Sequence, residues 1–165
     1  MNINFYLEKL SHSNEFKEFM KENPQAFLCS GFFIIDKEKD ETIVHFDYTL
    51  SEGDKIFSFQ LNGKIQVVPI EKIDGKNLNK ISSEFEFDLD EIEKIIEKEM
   101  EKQEVKSKIQ KIVISLQEVD GKVHLIGTIF VSMLGLLKVN ISLPEKEIVE
   151  FEKKSFFDIV KVKKK

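Results

Sequence analysis

The chain has 165 residues, 41% hydrophobic and 33% charged, with fifteen Phe, a net charge of −5 and a single cysteine. That composition suits one ordinary soluble domain, or two very small ones sharing a core, and excludes a disordered chain. All 25 basic residues are Lys, so the planar fork that Arg offers to phosphates and guanine edges is missing, and with the acidic balance no nucleic-acid partner is expected.

The first predicted element is a helix from Ser13, a plausible N-cap, with Phe16, Phe19 and Met20 on one face and Asn23-Pro24 closing it. A helical turn over Phe5 to Leu10 reads as part of the same element. Phe27 to Ile35 is a Phe/Ile-rich strand, and Lys37 to Asp40 a polar turn. Thr42 to Leu50 then alternates Val44, Phe46, Tyr48 and Leu50 against His45, Asp47 and Thr49. Ser51 to Asp54 turns the chain into Ile56 to Leu61, and Asn62-Gly63 is the strongest hairpin signal, returning through Lys64 to Ile70. A second helix begins at Asp88, with Glu91 at capping-box spacing and Leu89, Ile92, Ile95, Ile96 and Met100 as its apolar stripe. Strands follow to Leu116, then after Asp120-Gly121 over Val123 to Val131, Leu136 to Leu143 and Ile148 to Phe151.

The order of elements repeats, and Val44 to Leu50 lies beside Val123 to Ile129 as its counterpart. The expected fold is therefore α+β, with two helix-plus-antiparallel-sheet units in tandem. Residues 1–75 form a first αββββ unit, 76–87 a linker, and 88–165 a second αββββ unit with a C-terminal extension.

A helix, a hairpin and a closing strand pair, here Lys138 to Phe151, resemble a PepSY-like, cystatin-like domain, although the usual Asp and Gly of that closing turn are absent. Glu22 to Ile35 and Ser155 to Asp158 resemble a tandem family of small-genome archaea and candidate-phylum bacteria. The resemblance implies a fold and no activity. PepSY-like domains are linked to peptidase regulation outside the membrane. Met1 to Leu10 carries Glu8 and Lys9 and no long apolar run, so neither an export leader nor a transmembrane segment is expected, and the cytoplasm is the expected location.

Reactive constellations are few. If Phe33 pairs with Val44, Cys29 falls opposite Tyr48 and His45 points to the other face, which makes Cys29 a buried structural thiol. His45 and His124 hold matching places, but two ligands at no zinc-like spacing predict no metal, and His12 reads as surface. No phosphate-cradling loop or nucleophile elbow occurs, so no catalytic residue, no metal and no cofactor is assigned. The most informative segment is apolar where a wet turn is expected. Phe130, Val131, Met133, Leu134, Leu136 and Leu137 form a candidate interaction patch, covered by the Phe156, Phe157 and Ile159 segment or by the sister unit, or open to a protein partner or self-association. The Lys161 to Lys165 tail reads as solvated.

The sequence thus predicts a non-catalytic binding or regulatory module for a protein or a small apolar ligand. The alternative is a small enzyme or ligand-binding domain with a helix–sheet cavity using His45, Asp47, Tyr48 or His124.

Overall fold

Two helices open the chain, α1 over Ile3–Ser11 and α2 over Asn14–Glu22. Ser13 separates them: its side-chain oxygen accepts the amide N–H of Phe16 at 3.2 Å, so it caps a new helix, and the turn over Phe5 to Leu10 belongs to its own element. The computed structural model describes residues 1–72, 78–82, 84–133 and 135–155. The readings made for Leu134, for Phe156, Phe157 and Ile159 and for the Lys161 to Lys165 tail lie outside the described residues.

Four strands follow as a meander: β1 (Phe27–Asp36), β2 (Glu41–Thr49), β3 (Lys55–Gln60) and β4 (Gln66–Glu71). Helix α3 (Leu89–Lys102) precedes a second meander of β5 (Ile109–Val119), β6 (Lys122–Val131), β7 (Gly135–Ser142) and β8 (Glu147–Ser155). The β5–β6 turn is built as its sequence demands. Asp120 and Gly121 both take positive φ, 50° and 77°, which matches the right-handed twist of the strands they join. Asn62 extends β2 past the end of β3, since its side chain accepts from Val44 N at 3.1 Å and donates to Thr42 O at 2.8 Å.

The expectation of two tandem units is corrected here. All eight strands form one antiparallel sheet in the order β4-β3-β2-β1-β5-β6-β7-β8, and β1 pairs with β5 from Gly31↔Leu116 to Asp36↔Lys111. The physical reason lies in those two strands. A separate unit would leave β1 or β5 as a long apolar edge with a row of unpaired backbone groups, and their mutual pairing removes both edges. The three helices cover one face, and one core runs beneath all of them. Its fully buried members include Phe33, Phe46 and Phe59 from the first meander, Ile92 and Ile96 from α3, and Ile112, Ile114 and Leu116 from β5. Ile81 and Phe87, from the stretch between β4 and α3, are buried in that same core, and the Phe87 ring meets Phe33 edge-on at 5.6 Å.

The β1–β2 turn is locked by Asp36. One of its carboxylate oxygens accepts the amide N–H groups of Glu38 and Lys39, each at 3.0 Å, and the other lies 3.5 Å from Lys111 Nζ. The Lys39 amide, then Lys111, hold this carboxyl below the usual Asp range. A depressed carboxylate pKa adds stability above the unfolded-state value and loses it as pH falls through the folded one. Asp36→Asn is therefore expected to flatten the acid limb of a stability–pH profile below about pH 4. Urea unfolding of both proteins at stepped pH measures it, and parallel acid limbs would refute the assignment.

Candidate functional site

Pleating sends alternate residues of each strand to opposite faces, and this divides the reactive side chains. Val44, Phe46 and Tyr48 of β2 face the helices, where the Tyr48 ring packs on Phe16 and Phe59 at 5.1 and 5.6 Å. Tyr48 thus lies in the helix–sheet interior, away from His45 and Asp47. Those two point to the helix-free face. So do Ser58, paired with Asp47 across β3, and Phe32 of β1, which is paired with His45 on one side and with Ser115 of β5 on the other.

These side chains surround a cleft of about 590 Å³ on the helix-free face, bounded at one end by Leu78 and Asn79. Its floor is central strand, which the ladders on either side hold in place, and sites on strands are positioned more accurately than sites on loops. A larger cleft of about 680 Å³ lies by the C-terminal end of α3. Its rim is made of long Lys and Glu side chains, among them the 2.7 Å Lys37–Glu93 ion pair, and it brings together no comparable set of fixed polar groups.

The predicted register holds where Phe33 pairs with Val44 and fails nearer the start of β1. A β-bulge falls between Leu28, which faces Tyr48, and Ser30, which faces Asp47, so Cys29 is the extra residue. The bulge brings Cys29 into the same cleft as His45, contrary to the separation expected from a regular ladder. The thiol is 4% exposed and its sulfur lies 3.3 Å from the Asp47 carbonyl oxygen, to which it donates. Burial, and next the Asp47 charge, push the thiol up to about 11, the reverse of what an activated nucleophile requires. Burial also lowers the pKa of His45, against an opposing pull from Asp47. Ellman's reagent at pH 8 is expected to label Cys29 at the rate of unfolding, with instant labelling in 6 M guanidinium. Fast labelling of the native protein would show an accessible thiolate.

Asp47 anchors the cleft. Ser30 Oγ donates to its Oδ2 at 2.7 Å, while its Oδ1 is buried without a hydrogen-bond partner among the described residues. Gln117 Nε2 donates to Ser115 Oγ at 2.6 Å along β5, on the far side of β1.

The other predicted residues lie elsewhere. His124, on β6, pairs its Nδ1 with Asn140 Oδ1 at 2.7 Å. β2 and β6 are separated by β1 and β5 in the sheet order, so His45 and His124 sit roughly 14 Å apart at ~4.8 Å per strand, too far to share an ion. Among the described residues no group of three or more His, Cys, Asp or Glu could hold a metal ion. His12 is exposed, its ring nitrogen 2.8 Å from Glu8 O.

The expected interaction patch is divided by the pleat. Val131 and Leu137 are buried in the core. Phe130 is partly exposed on the helix-free face opposite Leu136, and Met133 is 92% exposed in the turn. The sheet edges are guarded against strand addition, β4 by Pro69 and β8 by Glu147, Glu150, Glu152, Lys153 and Lys154.

Sequence reasoning missed Phe32, Ser58, Ser115 and Gln117. The signal was present, since Ser58 stands between Phe57 and Phe59, and Ser115 between Ile114 and Leu116. A small polar residue between two core residues of a central strand marks a place where the far face is kept open.

No protein-family model matches the chain, and no curated protein matches it. Among solved structures it is similar to the crystal structure of a "putative lipoprotein" from Clostridium difficile 630. The TM-score is 0.57 at 11% identity, over 86% of this chain and 91% of that one, a likeness that shows the fold alone. No helix among the described residues is long and apolar enough to cross a membrane.

Proposed function

We propose that this chain is a binding module that holds a small ligand in the cleft on the helix-free face of its sheet, without catalysing its conversion. The observation that carries this reading is the convergence of Ser30, His45, Asp47, Ser58, Ser115 and Gln117 on one cleft of about 590 Å³. That volume and that mixture of apolar wall and few fixed polar groups are typical of small-molecule sites. The buried Asp47 oxygen supports it further, because a lone acceptor away from water costs about 1–3 kcal/mol, and a ligand donor can offset that. The ligand reading shifts from an apolar to a polar molecule, since the helix–sheet interior is occupied by Phe33, Phe46 and Phe59, each 0% exposed. An enzymatic reading through Cys29 and His45 is opposed by a thiol that stays protonated at neutral pH.

Ser115→Phe tests the proposal by filling the cleft from its floor. The variant is expected to keep a melting temperature within about 3 °C of the parent, as surface-facing changes usually do. It should abolish the amide shifts that a polar fragment library induces at residues 30, 45, 47 and 117. Equal binding by parent and variant would place the site elsewhere.

A protein partner is a second reading, favoured by the exposure of Met133 beside Phe130. With both edges guarded, such a partner would meet side chains and would not extend the sheet.

A further inference from the structure

The charge of the cleft is unlike that of the chain. Lys makes up 25 of the 165 residues, yet among the described residues no Lys lines the cleft, whereas Asp47, Glu118 and Asp120 all do. Glu118 is already engaged by Ser82, whose hydroxyl donates to its carboxylate at 3.2 Å. Asp47 has one oxygen held by Ser30 and the other without a partner among the described residues, and its lining neighbours His45, Ser58 and Gln117 carry no formal positive charge with the imidazole neutral. The charge of Lys72 reaches Cys29 at the cleft, but its ammonium is turned to the Leu50 carbonyl oxygen at 3.2 Å.

An aromatic wall stands beside the carboxylate. Phe32 and His45 are cross-strand partners with ring centroids 6.0 Å apart, and Asp47 is two residues along β2 on the same face. Diagonal neighbours in a sheet lie about 7–8 Å apart, so a cation of methylammonium size can touch the ring face and the carboxylate together. Ile70, Leu78 and Val119 supply apolar contacts around the same cleft.

We infer that the cleft selects a small organic cation, an amine with a short hydrocarbon body, whose ammonium pairs with Asp47 over the face of Phe32. The inference rests on the ligand-binding reading above and names the ligand's chemistry. Because Oδ1 is buried, an incoming ammonium reaches it only when the Asp47 carboxylate turns about its Cβ–Cγ bond, which moves both oxygens and requires the Ser30 hydroxyl to follow. Asp120 adds long-range attraction from the rim, and salt should weaken that part of the binding more than the Asp47 contact.

The experiment compares n-butylamine, n-butanol and butyrate, which share one body and differ in charge, by titration into the native protein with amide chemical shifts as readout at pH 7. Butylammonium is expected to shift residues 30, 32, 45 and 47 with an affinity about tenfold above butanol, as a charged hydrogen bond supports, and butyrate should leave them unmoved. Asp47→Asn should remove that tenfold preference. Asp120→Asn, at a turn residue with φ 50° that Asn also tolerates, should weaken amine binding by only about twofold. If Asp47→Asn does not fold, the charge series on the native chain decides alone. Butanol or butyrate binding at the same amides as tightly as the amine overturns the cation assignment and leaves the cleft as a ligand site. No shift at those amides with any of the three overturns both readings.

Discussion

Gly127→Ala is expected to be the most damaging single methyl in the chain, costing about 3 kcal/mol or more. Gly127 sits in the middle of β6, paired with Ile114 on one side and Val139 on the other. A Cβ built there would fall inside the carbonyl oxygen of Val113, 2.7 Å from Ile114 Cα and 2.9 Å from Val113 C. Those atoms belong to the backbone of β5, so no rotamer change relieves the clash, and β5 and β6 would have to part along the middle of the sheet. Thermal unfolding followed by circular dichroism measures the loss. A midpoint within about 2 °C of the parent would show that the strands separate without penalty.

Phe33→Ala should follow closely, with a loss of about 3–5 kcal/mol. The side chain is 0% exposed and touches Phe46 and Phe87 edge-on, at centroid distances of 5.9 and 5.6 Å. It also fills the space over Gly31, where an added Cβ would come within 3.2 Å of its ring. The cavity would open where β1, β2 and the segment before α3 meet, which leaves few side chains free to collapse into it. Urea denaturation compares the midpoints at constant m-value. A loss under about 1 kcal/mol would mean that the core around it relaxes.

Local structure was legible where a single segment carries its own signal. Ser13 and Asp88 cap their helices, and Phe33 stands opposite Val44 because the Lys37 to Asp40 turn fixes the register. What failed has physical causes. The pairing of β1 with β5 joins strands some 80 residues apart, and nothing in either strand names its neighbour, so two meanders read as two units. The bulge at Cys29 carries no glycine or proline of its own, so the sequence reads as a regular ladder, while that one extra residue places the thiol in the cleft. Tyr48 reads as a polar companion of His45 and Asp47, although its even position along β2 sets it on the other face. His45 and Asp47 were legible as candidates. Of their partners, Ser58 and Phe32 come from the adjoining strands β3 and β1, and Ser115 arrives from β5, far away in the chain.

The seam between β1 and β5 divides the sheet into a left and a right piece of four strands each, with each piece carrying its own helix or helices. A chain severed between β4 and α3 would hand each fragment one sticky inner border made to fit the other. Such fragments should reconstitute when mixed, and either one kept alone should dimerise or precipitate through its bare flank. That same border is where Phe32 and Ser115 meet, so rejoining the fragments would also rebuild the cleft on the helix-free face.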